Sequence, residues 1–65
     1  MNAISKPAEI GEATVRAKSL LRAMSATDAA RRMAAEFHVC VYESHGGIWG
    51  SFYETDRNEV VRRLA

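Results

Sequence analysis

The sequence predicts a small α+β fold: one domain over residues 1–65, with two N-terminal helical segments, one antiparallel β-hairpin and a short C-terminal helix. Three observations predict it. Apolar residues recur at three- and four-residue spacing through the first half of the chain. A β-rich run stands on each side of Gly46-Gly47. Hydroxyl or acidic residues precede the later apolar stripes, as helix caps do.

Ser5-Lys-Pro-Ala-Glu9 reads as a helix start, because proline is tolerated in the first turn and an acid there complements the helix dipole. Ile10, Ala13, Ala17, Leu20, Leu21 and Met24 then form one apolar stripe, with Arg16 and Lys18 beside it. Residues 12–21 also admit a strand, since Val15, Ala17, Ser19 and Leu21 alternate with Arg16, Lys18 and Leu20. The alanine-rich composition favours the helix, although Gly11 weakens its first turn. Ser25-Ala-Thr-Asp28 has the pattern of a capping box and opens a second helix, whose stripe is Ala29, Ala30, Met33, Ala34 and Phe37. Arg31, Arg32 and Glu36 fall mostly off that stripe.

His38-Val-Cys-Val-Tyr-Glu43 and Ile48-Trp-Gly-Ser-Phe-Tyr53 are rich in β-branched and aromatic residues, and Gly46 and Gly47 between them can take the positive φ of a tight hairpin turn. Val39 and Val41 share one face and Cys40 and Tyr42 the other; Ile48 and Phe52 likewise oppose Trp49 and Tyr53. A lone hairpin is not stable in water, so the helices must cover one face, and periodicity leaves open which. Asp56-Arg-Asn-Glu59 repeats the capping logic, giving a final helix with Val60, Val61 and Leu64 inward and Arg62 and Arg63 near its C-terminal end.

A domain of 65 residues buries only roughly 60% of the surface its unfolded chain exposes, so it commonly gains stability from a partner or as a homodimer. Cys40 is the single cysteine, which excludes an intramolecular disulfide and makes a cytoplasmic location the expectation. No apolar run approaches the ~20 residues of a membrane span, and MNAISKPAEIGE lacks the layout of a signal peptide. No membrane partner is expected. The net charge of +1 argues against a general nucleic-acid binder. The charge is segregated, however: Arg16, Lys18, Arg22, Arg31 and Arg32 face only Asp28 over residues 16–32, and the balance reverses from Glu36 to Glu59.

His38, Cys40 and His45, with the nearby glutamates, are the candidates for metal or thiol chemistry. Their spacing is not that of a zinc site, and Cys40 reads as a small buried residue inside the hairpin rather than a thiolate activated by His38. Gly46-Gly47 joins two strands and is no phosphate loop. The expectation is a protein without catalytic residues, metal or cofactor. Of the aromatic residues Tyr42, Trp49, Phe52 and Tyr53, most are expected to build the core, with part of Trp49 or Tyr53 anchoring a protein interface. Base stacking on these rings is disfavoured by Glu43 and Glu54 beside them. The candidate partner-binding residues are therefore Arg31 and Arg32, with Arg16, Lys18 and Arg22, and Trp49 and Tyr53 on the hairpin.

The run TDAARRMA from Thr27 to Ala34, followed by Val41-Tyr-Glu-Ser and Gly47-Ile-Trp-Gly-Ser-Phe-Tyr-Glu, resembles the helix and following hairpin of small phage-encoded anti-CRISPR proteins directed against type I-F surveillance complexes. The resemblance covers about half of the chain. It implies a non-enzymatic inhibitor that binds the protein subunits lining the guide RNA and blocks hybridisation of target DNA, with Arg31 and Arg32 matching the partner-facing helix pair and Trp49 a packing position. The resembling proteins continue the sheet where this chain's last segment reads as a helix, and have strands where its first segment does. The alternative is a small dimeric DNA- or RNA-binding regulator using the same basic helices, although a separate recognition helix is missing.

Overall fold

The computed structural model describes residues 7–37, 39–55 and 57–65. Two helices precede a three-stranded antiparallel sheet, in the order α1 (Pro7–Leu21), α2 (Ala26–Glu36), β1 (Cys40–Ser44), β2 (Gly47–Tyr53) and β3 (Glu59–Arg63). The α+β class and both helices match the sequence-based expectation; the short C-terminal helix does not.

Residues 12–21 are helical throughout, with Pro7 the first residue of α1 and Glu9 in its first turn; Ser5 and Lys6 lie outside the described residues. Helix wins over strand because four- and three-residue spacing buries Ala13, Ala17 and Leu20 together, whereas alternation would bury Val15, which is 69% exposed. The helix closes on tightened bonds from Arg22 N–H to the Ser19 carbonyl and from Ala23 N–H to that of Leu20.

Ser25 then caps α2 from an extended conformation, its hydroxyl accepting from the Asp28 N–H at 3.2 Å. Ser25→Ala is expected to cost about 1 kcal/mol and to lower the melting temperature by about 4–8 °C in a domain this small, which thermal denaturation followed by circular dichroism would read. Ala29, Ala30 and Met33 are buried and Phe37 half-buried. Ala34, expected in the same stripe, is exposed: it lies about 100° around the axis from Met33, outside the arc that Ala29, Ala30 and Met33 bury.

β1 and β2 pair in the register Cys40↔Ser51 to Ser44↔Gly47, which leaves His45 and Gly46 as the two central turn residues. Both have positive φ, 53° and 78°, as the tight hairpin turn that matches strand twist requires. The sequence reading placed the turn one residue late. Gly47 already belongs to β2, and the left-handed position falls on His45, whose Nδ1 lies 2.8 Å from the Ser44 hydroxyl, while Glu43 accepts from the Gly46 N–H.

The segment read as a C-terminal helix is β3, paired antiparallel with β2 from Tyr53↔Glu59 to Trp49↔Arg63. Two β-branched residues in a segment too short to repay helix nucleation favour this outcome, and pairing with β2 satisfies the backbone instead. The residues read as its cap make the connecting turn. Thr55 Oγ1 accepts from the N–H groups of Arg57 and Asn58, and Asn58 Nδ2 donates to Glu54. Asp56 itself lies outside the described residues.

α2 covers one face of β1 and β2, and α1 packs on α2. Phe52, Met33 and Ile48 are the largest fully buried side chains, joined by Val39, Val41 and Leu64 from the sheet and by small helix residues. The core therefore takes the Val39, Val41, Ile48 and Phe52 face of the hairpin, and the opposite face is left open.

Candidate interaction surfaces

Two surfaces gather the residues singled out from the sequence. The first lies on the helices. In α2, residues near Ala29, Ala30 and Met33 point inward, so Arg31 and Arg32, about 100° apart around the axis, both project outward and are exposed. Arg16 is not part of an open basic patch. Its Nε and Nη2 donate to the two carboxylate oxygens of Glu36 at 3.1 and 3.0 Å, a forked ion pair that ties α1 to α2. Hydrogen bonding from Arg16 holds the Glu36 carboxyl below its ordinary range, and the charge of Arg32 acts in the same direction.

Arg16 and Arg32 are thus brought together around one acid, whereas Lys18, about 200° around α1 from Arg16, faces elsewhere. Arg22 lies in the turn after α1. Arg31, Arg32, Lys18 and Arg22 make no ion pair with any described residue. The expected cluster of five cations therefore separates into a neutralised Arg16 and four exposed charges pointing in several directions. A shallow hollow of about 740 Å³ runs along the outer side of α1 past Gly11, Val15, Ser19 and Phe37, with Glu12 and Arg16 at its rim.

The second surface is the open face of the sheet. Strand alternation and the two registers place Cys40 and Tyr42 from β1, Trp49, Ser51 and Tyr53 from β2, and Glu59, Val61 and Arg63 from β3 on it. Tyr42 stands directly across from Trp49, and Trp49 across from Arg63. Tyr42 is 38% and Val61 48% exposed, while Trp49 and Tyr53 are half-buried. The Trp49 indole N–H donates to the Ser44 carbonyl at 3.0 Å, which ties the ring to the end of β1.

Tyr53 donates its phenolic hydrogen to Glu59 at 2.9 Å. That bond raises the phenol's pKa, and hydrogen bonds from Ser51 and Tyr53 hold the Glu59 carboxyl below its usual range. Of the four strand aromatics only Phe52 belongs to the core, so the expectation that most of these rings are interior is corrected: their parity puts three of them on the uncovered face. For the same reason Cys40 is exposed rather than buried.

Tyr42, Val61 and Arg63 were not among the candidates. Tyr42 was findable, because any antiparallel hairpin turning at residues 45–46 sets it against Trp49. Val61 and Arg63 were hidden by the helical reading of their segment.

Among the described residues no three His, Cys, Asp or Glu side chains converge as metal ligands would, and no helix is long and apolar enough to cross a membrane. His38 lies outside the described residues, so its pairing with Cys40 does too. Compared with protein-family models, curated proteins and solved structures, the chain matches none of them.

Proposed function

We propose that this chain is a small non-enzymatic protein-binding module, an inhibitor of phage or mobile-element origin that occludes a nucleic-acid-binding bacterial defence complex. The observation that carries this reading is the pair Arg31 and Arg32. Both are exposed on the outer side of α2, neither makes an ion pair with a described acid, and the helix beneath them is held by its buried Ala29, Ala30 and Met33. Exposed arginines suit an acidic protein surface, because the planar guanidinium forks onto carboxylates and so gives up less freedom per hydrogen bond formed. The resemblance of TDAARRMA to the partner-facing helix of anti-CRISPR proteins supports the same residues. The subunits that line the guide RNA of a type I-F complex are the partner this reading names.

The double variant R31E/R32E tests it. Capture of effector subunits from nuclease-treated lysate should be lost, and affinity for the purified complex should fall about a hundredfold, with the circular dichroism spectrum unchanged. Unchanged affinity would remove these two residues from the interface.

A second reading, a small dimeric nucleic-acid-binding regulator, is favoured by the three rings Tyr42, Trp49 and Tyr53 on an uncovered sheet face, since single strands stack on such faces. Glu59 lies on the same face and opposes a phosphate backbone. Binding of plain nucleic acid that weakens steeply with salt would favour this reading over the first.

A further inference from the structure

β3 is an edge strand: with the order β1-β2-β3, only one of its sides is paired among the described residues. The bonds from Glu54 N–H to the Asn58 carbonyl and from Leu64 N–H to the Ile48 carbonyl fix which residues turn toward β2. They are the even-numbered ones, so Glu59, Val61 and Arg63 direct their backbone N–H and C=O groups to the unpaired side. Natural edge strands are guarded by shortness, charged side chains, bulges or proline, and charges bar any partner that does not offset them. Here the strand Glu59-Val-Val-Arg-Arg63 carries an acid at one end and a base at the other, each two residues from an exposed valine.

We infer that β3 docks on β3 of a second copy of this chain, antiparallel and about a two-fold axis through Val61, so that two three-stranded sheets become one continuous sheet. Charge decides the register. Centred on Val61, Glu59 of each copy lies directly across from Arg63 of the other, and Arg62 lies across from Val60. Centring on Arg62 would set that arginine against itself, and centring on Val60 would set Arg63 against Arg57. Only the Val61 register pairs every outward-facing backbone group of the five-residue strand and opposes unlike charges at both ends. The interface is isologous, as a two-fold dimer requires.

Val61 meets its own copy at the centre, removing from water one of the few large apolar side chains the monomer exposes. The axis is perpendicular to the sheet, so both open faces lie on the same side and the helices of both copies on the other. The inference is independent of the role given to Arg31 and Arg32, which sit on α2 away from this edge.

Amide hydrogen exchange on the full chain, measured over a range of concentrations together with sedimentation equilibrium, tests it. The Val61 amide should gain protection as concentration rises, in step with a mass approaching twice 7.2 kDa. Glu59→Arg and Arg63→Glu each oppose like charges at both ends of the interface and should weaken the dimer about tenfold or more, while the double variant should restore it. Val61→Pro removes an N–H that β2 does not use and should yield a folded monomer. A monomer at the concentrations used for NMR, or a dimer whose Val61 amide stays unprotected, would overturn the proposal, and neither outcome depends on any variant folding.

Discussion

Replacing Phe52 by alanine is expected to remove a third or more of the stability of the whole fold. Phe52 is 2% exposed in the central strand and faces the helices beside Ile48, Met33 and Leu64. Truncating a buried phenylalanine costs about 3–5 kcal/mol through lost transfer energy and the cavity left behind. At roughly 0.05–0.15 kcal/mol per residue, the whole stability of a chain this size is about 3–10 kcal/mol. One side chain therefore carries a share that a larger protein would spread over several. Urea denaturation followed by circular dichroism should show a midpoint far below that of the parent chain; a midpoint close to the parent's would mean that Phe52 is not the centre of the core.

The second large effect concerns Gly50, where an added methyl group should destabilise even though alanine ordinarily restricts the unfolded chain and helps. A Cβ at Gly50 would stand 2.8 Å from Cζ and 2.9 Å from Cε2 of Phe52, and 3.2 Å from Cδ1 of Leu64. The ring cannot swing aside, because it is itself enclosed in the core. Gly50→Ala is expected to cost about 1–3 kcal/mol, outweighing the few tenths to about 1 kcal/mol that a loss of unfolded-state freedom returns. A cycle with Phe52→Leu separates the two contributions: alanine at residue 50 should cost less beside the smaller side chain. If Gly50→Ala stabilises the parent chain, the close approach between Gly50 and Phe52 does not exist in solution.

Local chemistry made much of the fold legible. Ser25 announces α2 because a hydroxyl three residues before an acid has few competing uses, and the two faces of the hairpin follow from alternation alone. The C-terminal segment shows where local chemistry stops. Val60, Val61 and Leu64 satisfy a helical stripe, while Val60, Arg62 and Leu64 against Val61 and Arg63 satisfy a strand equally well. What decides between them is the unpaired side of β2, which lies in another part of the chain.

The basic surface was misjudged for a related reason. Counting charges from residue 16 to 32 omits Glu36, which reaches Arg16 only because α1 and α2 fold against each other. Cys40 and the three open-face rings needed one further fact, the identity of the face that α2 covers. That choice follows from the fit of Phe52 and Ile48 against Met33, which is a property of assembled volumes rather than of spacing.

The order of packing has a kinetic meaning. α1 packs on α2, α2 on β1, β1 on β2 and β2 on β3, so each element's main neighbour is the next one along the chain. No pairing of distant strands has to be found before the rest can condense, and each step closes only a short loop. Chains built from such near-neighbour contacts fold fast for their stability. This one can assemble by successive addition, passing through few states in which an unpaired strand waits exposed for a remote partner.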